Sequence, residues 1–183
     1  MSDFGPAIAF TRQEEGGYAD DDTRAPAPPT GEVVNRGLTH WFLRSVGYLA
    51  PLPRNIPATP QEKLLIKNMS LDTTEKLYQE YFWNAYRCGE IASQPVAGKY
   101  FDLSVNDGPG EACLILQRAV NEALPRTTIA TDGIIGQATI AAANECDPMT
   151  LLSCIREQGE KYYNEIPDPD NTKAAWIARL NRG

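Results

Sequence analysis

Two glutamates followed at once by two glycines are the residues of this chain best suited to acid–base chemistry. Glu14 and Glu15 precede Gly16 and Gly17, and apolar residues at helical spacing before them predict a helix that ends here. We expect one glycine to adopt the left-handed conformation that closes the last turn. The negative end of the helix dipole disfavours carboxylate charge, and so does burial beside an apolar cleft. A carboxyl group that keeps its proton is the general acid that glycoside cleavage requires; the alternative is two solvated glutamates at a frayed helix end.

The composition limits the classes of function. The 183 residues can form one domain, or one domain with a packed helical extension. A net charge of -7 and a pI near 4.8 argue against nucleic acid as a partner. His40 is the single histidine and no CxxC pair occurs, so neither a metal site nor a Ser-His-Asp site is expected. We expect His40 to have a structural or supporting role, the alternative being a catalytic base, and we expect the protein to need no cofactor.

Capping signals and hydrophobic periodicity predict a mostly helical chain with one small β-element. Val33 and Val34 lie beside turn-forming residues, and residues 32–38 therefore predict a short strand or hairpin. Proline-rich stretches on either side of this element predict irregular connections. The predicted helices after the first one span residues 40–49, 60–69, 72–89, 94–106, 111–124, 137–146, 148–163 and 173–180.

Several separated motifs occur in a fixed order along the chain. They are Glu15-Gly16-Gly17-Tyr18, Asn35-Arg36-Gly37-Leu38-Thr39, residues 101–108, Leu116-Gln117-Arg118-Ala119, residues 132–139 and residues 176–182. This order resembles glycoside hydrolase family 108, the lysozyme-like N-acetylmuramidases of phage endolysins and bacterial secretion-linked lysins. Each motif is weakly specific alone, but together they extend the resemblance over nearly the whole chain.

The resemblance implies a fold, an activity and a partner. The fold would be mostly α, an α+β lysozyme-like helical bundle whose small β-hairpin lines a substrate groove. A catalytic part at residues 1–94 would pack as one globular unit with a part at residues 95–183 that resembles a peptidoglycan-binding domain. The enzyme would be an N-acetylmuramidase that cleaves the β-1,4 bond between MurNAc and GlcNAc in peptidoglycan strands. The catalytic glutamate of the family corresponds to Glu15, and Tyr18 either contacts substrate or packs at the helix exit.

The chain departs from the family pattern in the hairpin region. The segment between Tyr18 and Asn35 is longer and richer in proline than the compact turn of the family. Val34 stands where the family usually has a threonine. In related phage-type lysozymes a threonine and an aspartate in this hairpin position the attacking water, and a valine side chain cannot replace that hydroxyl.

Other polar residues must therefore position the water if the chain is a hydrolase. Asp20, Asp21 or Asp22 is expected to supply the second carboxylate, with Asp22 as the catalytic candidate; the alternative is a solvated turn. Thr39 is the candidate for a catalytic hydroxyl, and Asn35 could supply an amide that binds substrate.

A second pair of polar residues lies far along the chain. Asn106 and Asp107 follow a predicted helix and precede Gly108. In lysozyme-like folds this position can face the cleft, so both are candidates for sugar binding. Capping of the helix end is the alternative.

The sequence is also compatible with two rival functions. A lytic transglycosylase would use the same glutamate as acid and then as base, and it would release a 1,6-anhydro sugar. A non-catalytic glycan-binding or interaction protein on a lysozyme scaffold is favoured by the loss of threonine at Val34.

The sequence does not open with a basic stretch followed by an apolar core, so we expect no Sec-type signal peptide, and no apolar run is long enough to predict a transmembrane segment. We expect synthesis in the cytoplasm and action on the periplasmic cell wall after export or injection, as an endolysin or a secreted antibacterial effector. An injected toxin would need an immunity protein that blocks its groove, and we expect a monomer. The four cysteines are either buried free thiols or pair as Cys146–Cys154 or Cys88–Cys113.

Overall fold

A computed structural model describes residues 1–20, 32–53, 56–167 and 172–182. The chain divides into two compact units. The hairpin unit is Arg12–Leu77, and the helical unit combines Met1–Thr11 with Tyr78–Gly183. The division into parts at 1–94 and 95–183, and their packing as one globular unit, stay predictions.

The hairpin unit contains a small sheet and short helices. In chain order its elements are the end of α1 (Phe4–Glu14), β1 (Ala19–Asp20), β2 (Val33–Asn35), β3 (Leu38–Thr39), α2 (His40–Ser45), α3 (Pro60–Lys67) and most of α4 (Leu71–Tyr78). Helix α3 packs against β2, and α2 contacts β3. Helices α2 and α3 are shorter than the sequence predicted, since α2 ends before Val46 and α3 ends before Asn68.

The sheet confirms the predicted hairpin and adds a strand that the sequence did not predict. The strands run antiparallel in the order β1-β2-β3. Between β2 and β3 the two turn residues, Arg36 and Gly37, have φ angles of 48° and 78°. Two positive φ angles match a tight hairpin turn to the right-handed twist of its strands. The Arg36 guanidinium also donates to the Met69 carbonyl at 2.9 Å.

A buried ion pair joins α2 to the start of α3. The Arg44 guanidinium donates through Nε and Nη2 to both carboxylate oxygens of Glu62, each at 2.8 Å. Glu62 also completes a capping box with Thr59 at the first turn of α3. Hydrogen bonding from Arg44 lowers the pKa of Glu62 to about 2.

The helical unit is built from the helices that the second half of the sequence predicted. They are α5 (Gln94–Asn106), α6 (Pro109–Ala123), α7 (Gln137–Glu145), α8 (Pro148–Glu165) and α9 (Lys173–Asn181). Helix α6 packs against α5, α7 and α8, and α8 packs against α9. Their apolar faces form a core that includes Tyr100, Phe101, Ile115, Leu116, Leu151 and Ile155. Asp147 caps α8 by accepting from the Thr150 amide at 2.9 Å.

The single helix predicted over residues 72–89 is wrong. Helix α4 ends at Tyr78, a π-helical segment covers Gln79–Asn84, and a short 3-10 turn covers Cys88–Glu90. Trp83 in the π segment is buried, and its ring packs edge-on against Phe101 at a centroid distance of 5.7 Å. A π turn changes the direction of side chains relative to a regular helix. It depends here on the tertiary packing of Trp83, which the hydrophobic periodicity of the sequence does not reveal.

All four cysteines are buried free thiols. Burial raises the pKa of Cys88 to about 12 and that of Cys113 to about 11.

Because the thiolate is the reactive form, we expect no reaction of the native protein with a thiol reagent at neutral pH. We expect four reactive thiols after unfolding without reductant. A count of two under those conditions would show that one disulfide had formed.

Candidate active site

The sheet of the hairpin unit presents a hydroxyl, and a carboxylate lies directly beside it. Val34 pairs with Ala19 on one side and with Thr39 on the other, and directly paired residues share a face. Glu32 lies two residues before Val34, directly outside β2, and lines the same cavity as Thr39. Thr39 is thus the direct neighbour of Val34.

A cavity of about 760 Å³ adjoins this face. It is lined by Glu32, Thr39, Trp41, Phe42, Arg44, Ser45, Pro51 and Leu52. Its volume falls in the range of about 300–1,000 Å³ that is typical of ligand sites. The combination of aromatic rings, hydroxyl groups and a carboxylate suits a polar ligand with apolar ring faces, such as a sugar.

Thr39 has a defined hydrogen bond at the edge of this cavity. Its Oγ1 accepts from the Phe42 amide at 3.2 Å and so caps helix α2. The hydroxyl proton is not used in that bond and can still be donated to a ligand or a water molecule. The predicted catalytic role of Thr39 is compatible with this position and stays a prediction.

Glu15 follows the last residue of α1 and is half-buried. The sequence therefore placed it correctly at a helix end. The predicted closure of α1 by a left-handed glycine is wrong, because neither Gly16 nor Gly17 has a φ in that region. The chain instead reaches the first residue of β1, Ala19, soon after leaving the helix.

Tyr18 and Asp20 are connected to lysines of α3. The Tyr18 hydroxyl donates to Asp20 Oδ2 at 3.4 Å, and Lys63 Nζ lies 3.1 Å from Asp20 Oδ1. Lys67 Nζ lies 5.7 Å from the centre of the Tyr18 ring. Asp20 thus has an ion-pair partner, whereas the other two candidate aspartates, Asp21 and Asp22, lie outside the described residues.

Asn35 and His40 hold the sheet in place. Asn35 is 3 % exposed, and its Nδ2 donates to the Ile66 carbonyl of α3 at 2.7 Å. His40 is fully buried, and its Nδ1 accepts from the Val33 amide at 3.1 Å. Burial lowers the pKa of His40, so a neutral, structural imidazole agrees with the sequence prediction. Substrate binding by Asn35 stays a prediction.

Asn106 and Asp107 border a smaller pocket within the helical unit. This Asp107 pocket has a volume of about 260 Å³ and is lined by Asn106, Asp107, Tyr162, Ile166 and Trp176. Asp107 Oδ2 accepts from the Tyr163 hydroxyl at 2.7 Å, and Oδ1 accepts from Asn106 Nδ2 at 3.0 Å. Burial raises the pKa of Asp107 to about 6. Asp107 also ends α5, with its amide donating to the Leu103 carbonyl.

The sequence did not single out Glu32 as a site residue, and it assigned Trp41 and Phe42 to the apolar face of a helix. The available signal was the position of Glu32 at the start of the predicted strand region, two residues before Val34. Within the described ranges, no group of three or more His, Cys, Asp or Glu side chains could hold a metal ion. In the same part of the chain, no helix is long and apolar enough to cross a membrane.

Comparisons with known proteins agree on the family and the fold. A family model described as Glycosyl hydrolase 108 matches residues 8–108. A second model, described as Predicted Peptidoglycan domain, matches residues 111–180. The solved structure of Brucella abortus SagA is similar, with a TM-score of 0.75 and 20% identity over 98% of this chain and 90% of that chain. The search of curated proteins found no match.

The similarity to SagA confirms the predicted fold class, a mostly helical lysozyme-like fold with a small antiparallel sheet. The first family model covers more than half of the chain. The chain belongs to the glycosyl hydrolase 108 family, and it is a glycoside hydrolase that acts on peptidoglycan.

Proposed function

We propose that the protein is an N-acetylmuramidase that cleaves the β-1,4 bond between MurNAc and GlcNAc with Glu15 as its general acid. One observation carries this proposal. Glu15 is half-buried and belongs to the same compact unit as the cavity of about 760 Å³, although its side chain is not among those that line the cavity. That unit lies within the region matched by the glycosyl hydrolase 108 model.

The reaction needs one proton donor and one nucleophile. Glu15 would donate its proton to the glycosidic oxygen as the bond from that oxygen to C1 of MurNAc breaks. Water would then attack the oxocarbenium-like C1 and lose a proton to a base. The Thr39 hydroxyl, which lines the cavity, would hold that water, and Asp22 is the candidate base from the sequence. Tyr18 and Asn35 support this unit through the contacts of Tyr18 with Asp20 and of Asn35 with α3.

Glu32 is a second candidate for the base, because it lines the cavity together with Thr39. Glu32→Gln should lower kcat by about a hundredfold to ten-thousandfold, with little change in KM, if the carboxylate activates water. The measurement is the rate of muropeptide release from purified peptidoglycan. Glu145→Gln, a change at an exposed glutamate of the helical unit, is the control for loss of one charge. A Glu32→Gln rate within twofold of the wild type would exclude Glu32 as the base.

One observation favours a lytic transglycosylase as the second candidate function. Two of the paired side chains on the sheet face, Ala19 and Val34, have no polar atom, so among the described residues paired there only Thr39 can hold a water molecule. In a transglycosylase the O6 hydroxyl of MurNAc attacks C1 in place of water, so no water needs to be positioned. Glu15 would first protonate the leaving oxygen and then accept the O6 proton.

Digestion of purified peptidoglycan, followed by mass spectrometry of the products, tests the muramidase proposal against the transglycosylase alternative. A muramidase gives muropeptides with a reducing MurNAc end, which borohydride reduces. A transglycosylase gives products that are lighter by one water and resist reduction. Reducing MurNAc ends are expected, whereas reducing GlcNAc ends or anhydro products would contradict the muramidase proposal.

The cellular role follows from the substrate. We propose that the protein reaches the cell wall after export or injection and acts there as an endolysin or as an antibacterial effector, in monomeric form. In the effector case a protective protein of the producing cell would block the cavity. Failure to recover such a protein with the purified enzyme from the producing cell would count against the effector role.

A further inference from the structure

The Asp107 pocket has the chemistry of an ammonium site. We propose that it binds the protonated free amine that diamino acids carry in the peptide stems of peptidoglycan. This inference rests on the proposed function for the identity of the polymer. It assigns to the helical unit a contact with the peptide part of that polymer.

The charges around the pocket leave Asp107 without an ion-pair partner. Arg179 lies nearby on α9, but its Nη2 and Nε donate to Asp102 at 2.8 and 3.2 Å. The Thr11 hydroxyl donates to the same aspartate at 3.0 Å. Asp107 itself receives hydrogen bonds from two neutral donors, Tyr163 and Asn106. In the part of the chain that the structure describes, no lysine or arginine nitrogen lies within 4.0 Å of its carboxylate.

The walls of the pocket suit a cation as well. Tyr162 and Trp176 line it, and the faces of aromatic rings attract ammonium groups. Contact between the Trp176 and Tyr163 rings, with centroids 5.8 Å apart, holds the indole in the wall of this pocket. A carboxylate with an adjacent aromatic wall can therefore bind an ammonium group by charge, hydrogen bonds and ring contact together.

The size of the pocket favours an amine over a glycan. Its volume of about 260 Å³ lies below the range of about 300–1,000 Å³ that holds a drug-sized ligand. A disaccharide of the glycan strand would not fit inside it, whereas the end of a single side chain would.

The ionisation of Asp107 makes the binding pH-dependent. Desolvation and the charge of Asp102 raise its pKa, while Tyr163, Asn106 and Arg179 oppose that rise, and the result is about 6. The carboxylate is therefore mostly charged at neutral pH and becomes neutral as the pH falls below 6. An ammonium ligand needs the charged form, so amine-dependent binding should be present at pH 7.5 and lost at pH 5.

Binding of the full chain to insoluble peptidoglycan tests the inference. The Glu15→Gln variant keeps the polymer intact and is compared on two preparations, one native and one with its stem amines acetylated. We expect acetylation to weaken binding about tenfold at pH 7.5, as for loss of one hydrogen bond to a charged group. At pH 5 the two preparations should bind equally. Asp107→Asn in the same background should abolish the difference at pH 7.5, and Glu145→Gln should not.

The outcomes separate this inference from the proposed function. Equal binding to native and acetylated polymer at pH 7.5 would overturn the ammonium site, even if the wild-type enzyme digests both. If the chain binds native and acetylated polymer equally and a substitution of Trp176 weakens both, the pocket binds a sugar, and the ammonium site is overturned as well. Amine-dependent binding by a wild-type chain that releases no muropeptides would instead contradict the proposed function alone.

Discussion

Glu15→Gln is expected to reduce the release of soluble muropeptides from peptidoglycan about a thousandfold. Glutamine keeps the shape of the side chain but has no acidic proton, and general acid catalysis is worth roughly a hundredfold to ten-thousandfold. The glycosidic oxygen would then have to leave without protonation. The measurement is the initial rate at neutral pH, with wild-type and variant enzymes at equal concentration.

Glu14→Gln is the matched control for this experiment. Glu14 is the last residue of α1, directly before Glu15, and it is also half-buried. Its substitution makes the same carboxyl-to-amide change at the same helix end, so any effect of that change on the stability of the helix end is shared by the two variants. We expect activity within a few-fold of the wild type. Equal losses in the two variants would show that the helix end, and not a proton on Glu15, is what matters.

Glu62→Ala is expected to give the largest loss of stability, about 3–5 kcal/mol in the free energy of unfolding. The side chains of Arg44 and Glu62 are only 4% and 9% exposed, so removing the carboxylate leaves a buried guanidinium without its counter-ion. The variant also loses the capping box at the start of α3. Denaturant unfolding at pH 7 measures the effect.

The exposed pair of Lys76 and Asp72 provides the control. Their side chains are 72% and 74% exposed, so Lys76→Ala should change the free energy of unfolding by less than about 1 kcal/mol. Comparable losses in the Glu62 and Lys76 variants would contradict the assignment of a buried, stabilising pair.

The same ion pair predicts a pH dependence of stability. The pKa of Glu62 is lowered to about 2 in the folded chain from an ordinary value of 4.5. The contribution of the carboxylate is therefore fully present above pH 4.5 and is lost as the pH falls toward 2. The wild type should lose more stability than Glu62→Ala between pH 5 and pH 3, and parallel curves would contradict this linkage.

Local signals in the sequence predicted much of the fold. Helix α5 was predicted with its observed bounds, because Pro95 fits a first turn and Gly108 follows the end. The hairpin was predicted from Val33 and Val34 beside a turn that contains Gly37. Strand β1 and the π-helical segment were not predicted from the sequence. Strand β1 depends on pairing with β2, and the π-helical segment depends on the packing of Trp83.

Only part of the candidate site could be predicted, because sequence motifs indicate single residues but not which residues come together in the fold. Motif order predicted catalytic roles for Glu15 and Thr39, of which Thr39 lines the cavity and Glu15 does not. The position of Thr39 directly across from Val34 depends on strand register, which the sequence did not specify. Glu32 enters the cavity together with Leu52 from a separate loop, and contacts between such distant segments leave no local pattern.

Cleavage of a substrate with an activated leaving group tests the role of Glu15 most directly. In the 2,4-dinitrophenyl β-glycoside of GlcNAc–MurNAc, the leaving phenol is acidic enough to depart without a proton. If Glu15 is the general acid, Glu15→Gln should cleave this compound at close to the wild-type rate while losing about a thousandfold on peptidoglycan. An equal loss on both substrates would contradict proton donation by Glu15.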